Sequence, residues 1–291
     1  MQNETGQYRL VRVLTALISE PWLITPEMHR TLTDIVLAHA KSGATEQQQH
    51  ALAADMPANP AKRRFQVSGS TAILPVEGTI GRKFSSSLYS SGVTSIDIFE
   101  RMLKSAMVDT EIDSILITLD SPGGLATGVP EVASLVMQAR ELKPVIAYAD
   151  GLTASAAYWI ASQADAIYAT PSAQVGSIGV YLSLLDVSRM AEMEGVRVEL
   201  FKSGKHKGMG MPGTGLTDEQ RGMLQARVEA LGVKFRESVN TGRARTISDE
   251  VMQGQSFAVE EALTNGLIDQ VTDFDSALRD AGRLGKLRAR R

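Results

Sequence analysis

The sequence predicts an α/β fold of parallel strands joined by crossover helices, with a small helical appendage at the N-terminus. Three observations predict it. From about Phe65 onward, apolar β-rich runs alternate with helical patterns, the order that builds a parallel sheet. Residues 6–42 instead carry helical periodicity in two pieces. Between them lies the stretch GATEQQQHALAADMPANPAKRR, rich in Gln, Ala, Asn and Pro with little to bury. The expected organisation is an appendage over 1–42, a linker over 43–64, a body over 65–278 and a basic tail over 279–291.

Each element follows from its pattern. Leu10, Val13, Leu14 and Leu17 form one helical stripe; Met28, Leu32, Ile35, Val36 and His39 form another after Thr25-Pro26-Glu27. In the body, TAILPVEG precedes a helix over Ile96–Met107, SILITLD precedes one over Val129–Leu142, and PVIAYAD precedes one over Ser155–Gln163. Short strands are expected near Ala166–Ala169, Ser177–Tyr181 and Arg197–Phe201. A long helix is expected from Thr217 to about Asn240, opened by Thr217-Asp218-Glu219-Gln220, which has the form of a capping box. No internal repeat suggests a solenoid.

Composition narrows the chemistry. With no cysteine among 291 residues, the chain has no thiol nucleophile, Cys-ligated metal or disulfide. Any nucleophile is an oxygen or an amine. The formal net charge of −3 gives no reason to expect nucleic acid as the main partner. The exception is Arg279–Arg291, with five Arg and one Lys against one Asp, which reads as a solvated basic tail. Glu20, Pro21 and Pro26 interrupt the first apolar stretch before it takes signal-peptide form, and the longest charge-free run holds Pro171, Gly176 and Gly179. An intracellular protein without a membrane anchor is expected.

Three segments could carry function, all at strand ends or loops. Asp120-Ser121-Pro122-Gly123-Gly124 follows an apolar strand, and its glycines could turn bare N–H groups toward a cavity, as an oxyanion hole requires; a tight turn explains the glycines equally well. Ser155 lies among small residues where a strand passes into a helix, a place for a nucleophile or for an ordinary helix cap. The third segment, Lys202–Gly208, contains His206, the only histidine of the body, crowded by Lys202, Lys205 and Lys207. His206 lacks an evident orienting Asp. A lysine serves as base only when burial and neighbouring positive charge depress its pKa, and a solvated basic loop is the simpler reading.

Together and in this order, these segments resemble the signal peptide peptidase A family of serine peptidases. The motifs run from Pro75-Val76-Glu77-Gly78 through the D-S-P-G-G turn at 120–124, T-A-S-A-A-Y at 153–158 and V-G-S-I-G-V at 175–180. They continue with K-S-G-x-x-K at 202–207 and G-Q-S-F…N-G-L-I-D at 254–269. The resemblance implies a crotonase-like, caseinolytic-protease-like α/β fold. By position it implies Ser155 as nucleophile and Lys207 as general base, with Lys205 the competing base, and the amides of Gly123, Gly124 and Ala156 as oxyanion hole. It also implies no metal or other cofactor, and an extended substrate that adds a strand beside the oxyanion loop.

The soluble-looking leader Glu20–Glu27 resembles the phage head-maturation branch, the minor capsid protein C-like proteases. That branch implies a homo-oligomer acting on scaffold or portal-associated proteins in the host cytoplasm or procapsid, and self-cleavage within the linker is compatible with it. Two other readings stay open. One is a catalytically silent capsid or scaffold-docking component of the same fold; the other is a crotonase-type acyl-CoA enzyme, whose usual carboxylates are not matched here.

Overall fold

The computed structural model describes residues 20–31, 33, 34, 65–82 and 93–290. The leader contributes strand β1 (Trp22–Ile24), buried along its whole length, followed by a short helical segment from residue 26. The expected appendage is thus corrected in part, because β1 belongs to a sheet of the body. The first helical stripe and the 43–64 linker lie outside the described residues.

The body opens with a hairpin of β2 (Gln66–Ser68) and β3 (Thr71–Glu77), turned at Gly69 with φ 59°. Then come β4 (Thr79–Gly81), β5 (Val93–Ser95) and helix α1 (Ile96–Val108), whose buried Ile96, Phe99, Met102, Leu103 and Ala106 recur at helical spacing. Strand β6 (Ser114–Ser121) leads through Pro122 into β7 (Gly123–Leu125) and helix α2 (Val129–Leu142). Strand β8 (Val145–Ala154) leads directly into helix α3 (Ala156–Ala161), followed by β9 (Ala166–Ala169) and β10 (Gln174–Gly176).

After β10 the chain is largely irregular up to residue 217, apart from helix α4 (Ser188–Met193). Expected strands at Ser177–Tyr181 and Arg197–Phe201 are corrected here. Tyr181 makes one isolated bridge, and 197–201 pairs with nothing among the described residues. Helix α5 (Asp218–Gly242) opens with the predicted capping box: Thr217 Oγ1 accepts from the Gln220 N–H at 3.3 Å and Gln220 Oε1 accepts from the Thr217 N–H at 3.0 Å. The chain ends with β11 (Ser256–Ala258), α6 (Val259–Thr264), β12 (Gln270–Val271) and α7 (Phe274–Ala289).

The larger sheet has the order β11-β10-β8-β6-β3-β2, with β9 also on β8 and β12 on β9. Its central pairs are parallel, so crossover helices cover it. Both faces are dry. Ile115, Ile117 and Leu119 of β6, with Val145, Ala147 and Ala149 of β8, join the main core, while Leu116, Ile146 and Tyr148 pack under α7. Burial on two faces explains why these strands read as continuous apolar runs.

The expected tail is corrected as well. The boundary at 279 falls inside α7, whose Ala277, Ala281 and Gly285 are buried. Charge dominates its sequence, but small residues at helical spacing let it lie close to the sheet. Arg288 donates hydrogen bonds to the carbonyls of Arg140 and Glu141, where α2 ends.

Candidate active site

Ser155 stands at the turn from β8 into α3 with φ 56° and ψ −115°, a conformation that L residues other than glycine rarely adopt. Its hydroxyl makes no capping hydrogen bond, so the helix-cap explanation of this serine fails. The backbone holds it in place: the Ser155 N–H donates to the Gly176 carbonyl at 2.8 Å, and the Ser155 carbonyl accepts from Trp159 N–H at 2.9 Å. Behind it α3 is fixed by Trp159, stacked on Phe235 at 4.4 Å between ring centres, and by Tyr158, whose hydroxyl donates to the Leu267 carbonyl at 2.9 Å. Burial pushes the Tyr158 phenol far above its ordinary pKa, so it stays neutral.

The 120–124 segment reaches the same place. Ser121 Oγ donates to the Gly78 carbonyl at 2.6 Å and accepts from the Gly123 N–H at 3.1 Å, while Asp120 Oδ1 accepts from Leu152 N–H at 3.0 Å. Gly123 has φ 99°, and a Cβ there would lie 3.0 Å from Ser155 Cβ. A Cβ on Gly124 would lie 1.8 Å from the Ile80 carbonyl oxygen. Both glycines are therefore demanded by close backbone approach. The structure brings Ser155 and Gly123 together, with Gly124 next in the strand and Ala156 next to the serine. Beside Pro122 opens a cavity of about 630 Å³, lined by Leu152 and Ser177 on one side and by Thr25, Met28 and Thr31 of the leader on the other.

The lysine loop is placed differently. No strand precedes it; turns over 203–210, with positive φ at Gly204, Gly208 and Gly210, carry the chain. Lys205 is held by Glu219 at 2.6 Å, and His206 Nε2 lies 3.9 Å from the same carboxylate. Lys207 is exposed; its backbone N–H donates to the Gly204 carbonyl at 3.2 Å, and among the described residues no hydrogen bond or ion pair engages its ammonium group or links it to Ser155. No group of three or more His, Asp or Glu among the described residues could hold a metal ion.

Two features escaped the sequence reading. One is the role of 175–180, where the Gly176 carbonyl holds the Ser155 amide and Ser177, at φ 53°, donates its N–H to Gln255 at 2.6 Å. The other is β1, which runs antiparallel to β7 with Leu23 opposite Gly124 and Ile24 opposite Gly123.

Residues 137–288, which include Ser155, Lys207 and the loop between them, match Peptidase family S49. The chain belongs to peptidase family S49. Two relatives come from phages. Capsid assembly protease C of Escherichia phage lambda is 30% identical over 291 residues, covering 94% of this chain and 66% of the relative. Head-tail preconnector protein GP5 of Enterobacteria phage P21 is 28% identical over 286 residues, covering 92% of this chain and 56% of the relative. The S49 chain thus spans between half and two thirds of the length of these relatives. Among solved structures, a mutant of the 1510-N membrane-bound stomatin-specific protease is 21% identical with a TM-score of 0.46, covering 74% of this chain and 85% of that one. Among the described residues, no helix of this S49 member is long and apolar enough to cross a membrane.

Proposed function

We propose that the chain is a serine endopeptidase acting through an acyl-enzyme. Ser155 Oγ attacks the carbonyl of an extended peptide, Lys207 Nζ removes the hydroxyl proton and passes it to the leaving amine, and the amide of Gly124 or Ala156 holds the oxyanion, the expected Gly123 amide being taken by Ser121 Oγ; water then releases the acyl group. The observation that carries this reading is the strained backbone of Ser155, which sets a serine that caps no helix beside Gly123 in a family of peptidases. Lys207 is preferred to Lys205 because Lys205 is committed to Glu219.

The phage relatives support a role in processing scaffold or portal-associated proteins during head assembly, in the host cytoplasm or the procapsid. A homo-oligomer is part of this reading. Lys207 stands free of Ser155 within one chain, and the segment leading to it exposes Leu185, Met193 and Phe201, surface that a second copy would cover. The test is mass spectrometry of capsid proteins co-expressed with wild type and with Ser155→Ala. New termini that appear only with wild type support a peptidase; identical products from both favour the silent docking component.

A further inference from the structure

Strand β7 has no free edge. Its edge toward the body is taken by β4, with Ile80 opposite Gly124, and its other edge by β1. On its outer side β1 meets Tyr181, where Trp22 N–H donates to the Tyr181 carbonyl at 2.8 Å and Tyr181 N–H donates to the Trp22 carbonyl at 3.1 Å. The leader is therefore a strand gripped from both sides at the position expected of an extended substrate.

The register makes the likeness chemical. Ala126 N–H donates to the Pro21 carbonyl at 3.2 Å and Thr25 N–H to the Pro122 carbonyl at 3.1 Å. In an antiparallel ladder, hydrogen-bonded pairs alternate, so Leu23 and Gly124 form the pair between them. The Leu23 carbonyl then faces the Gly124 amide, one of those assigned to the oxyanion. A Cβ on Gly123 would lie 2.0 Å from that carbonyl oxygen and 3.0 Å from Ser155 Cβ. A leader carbonyl thus lies over the same glycine as the nucleophile, and Ser155 is only 1% exposed.

From this we infer that Pro21–Thr25 occupies the substrate slot of its own chain, that the slot accepts extended segments with consecutive large apolar residues, and that turnover requires this strand to withdraw. The inference rests on the peptidase reading above. Trp22, Leu23 and Ile24, each at most 3% exposed, show what the slot holds. The grip is built to release. Pro21 and Pro122 have no N–H, so the pairs at both ends of the ladder are each one hydrogen bond short. Among the described residues, the Trp22 indole N–H and the Tyr181 hydroxyl are buried without hydrogen-bond partners, an imperfect fit for a permanent core strand.

The chain has no cysteine, so a Trp22→Cys/Leu125→Cys double variant can form only one intramolecular disulfide, across a pair that faces without hydrogen bonding. In a Ser155→Ala background, the probe is a fluorescein-labelled peptide carrying the sequence of residues 20–26, followed by anisotropy. The reduced chain should bind it, and oxidation should weaken binding at least about 10-fold, because a tethered strand cannot yield the slot. Equal affinity in both states, or no binding by the reduced chain, overturns the inference. The wild-type chain gives a second measurement without substitution: excess peptide should speed hydrogen exchange of the Leu23 and Thr25 amides, and unchanged exchange counts against withdrawal. With Ser155 present, oxidation should stop peptide cleavage and a reductant restore it. Binding that switches as expected without cleavage in either state would remove the peptidase reading and leave the slot standing.

Discussion

The backbone of Ser155 stores strain that can be measured apart from catalysis. At φ 56° and ψ −115°, a residue with a Cβ carries a penalty of about 1–3 kcal/mol that glycine escapes. A direct comparison of Ser155→Ala with Ser155→Gly mixes this with two losses, about 0.5–1 kcal/mol of backbone entropy and about 0.8 kcal/mol of buried methyl. The neighbouring Ala156, equally buried but the first residue of α3, supplies the control. Changing alanine to glycine at 155 and at 156 incurs the same two losses, and only position 155 recovers the strain. The step at 155 should therefore be more favourable by about 1–3 kcal/mol, read as the difference in urea unfolding free energy among Ser155→Ala, Ser155→Gly and the Ala156→Gly variant. Both position-155 variants should be inactive. If the two steps cost the same within about 0.5 kcal/mol, the turn is not strained and the geometric case for Ser155 as nucleophile is lost.

Three further outcomes follow from particular contacts. Lys207→Ala should lower peptide cleavage by about 10²–10⁴-fold, whereas Lys205→Ala, which breaks a surface pair with Glu219, should change it little; initial rates on one peptide decide, and the reverse pattern moves the base. Asp269 meets the buried Arg243 through two hydrogen bonds of 2.6 and 2.8 Å, so Asp269→Ala should cost about 3–5 kcal/mol in urea unfolding by stranding that guanidinium. Burial opposes ionisation of Asp269, but the Arg243 hydrogen bonds, the Ile167 N–H and two guanidinium charges together hold its pKa below the ordinary value. Its contribution is thus complete above about pH 4, the unfolded value, and fades as pH falls through the lower folded one, an acid loss that Asp269→Asn should abolish. Removing residues 279–291 should destabilise the chain by roughly 2 kcal/mol or more, since Ala281 and Gly285 pack against the sheet and Arg288 caps α2; a truncated chain of unchanged stability would restore the solvated tail.

Strands β6 and β8 and helices α1, α2 and α5 were legible because each has a local signature: a two-faced apolar run, a one-faced stripe or a capping box. Three features lacked one. Residues Trp22–Ile24 sit in a segment of helical periodicity and become a strand through pairing with residues 123–125, about a hundred positions away, which no local window contains. Helix α7 buries Ala277, Ala281 and Gly285, whose small size leaves the basic side chains to dominate its pattern. A strand was expected at Arg197–Phe201, but a strand needs a neighbour to pair with, and none pairs there among the described residues. The site shows the same division. Gly123 and Gly124 advertise close backbone approach by their identity, whereas the strain at Ser155 is invisible because serine does not usually signal positive φ.

On the proposed mechanism, what separates the described geometry from turnover is water around one amine. A lysine abstracts a proton near neutral pH only where burial and neighbouring charge have depressed its pKa, and Lys207 is exposed in the single chain. Something must cover it. Leu185, Met193 and Phe201, at 78%, 82% and 92% exposure, place apolar surface on the segment that leads into the lysine loop. Covering that surface by a second copy would bury the loop, so assembly and catalysis become one requirement. A Met193→Ser/Phe201→Ser variant should then lose oligomer and peptide cleavage in parallel as concentration falls, followed by light scattering and initial rates on the same samples. Each exchange removes exposed apolar surface without touching the core, so the monomer's unfolding curve should not shift. A dispersed monomer that cleaves at the rate of the assembled protein would show that one chain completes its own base, and Lys207 would have to reach Ser155 by rearrangement of its loop alone.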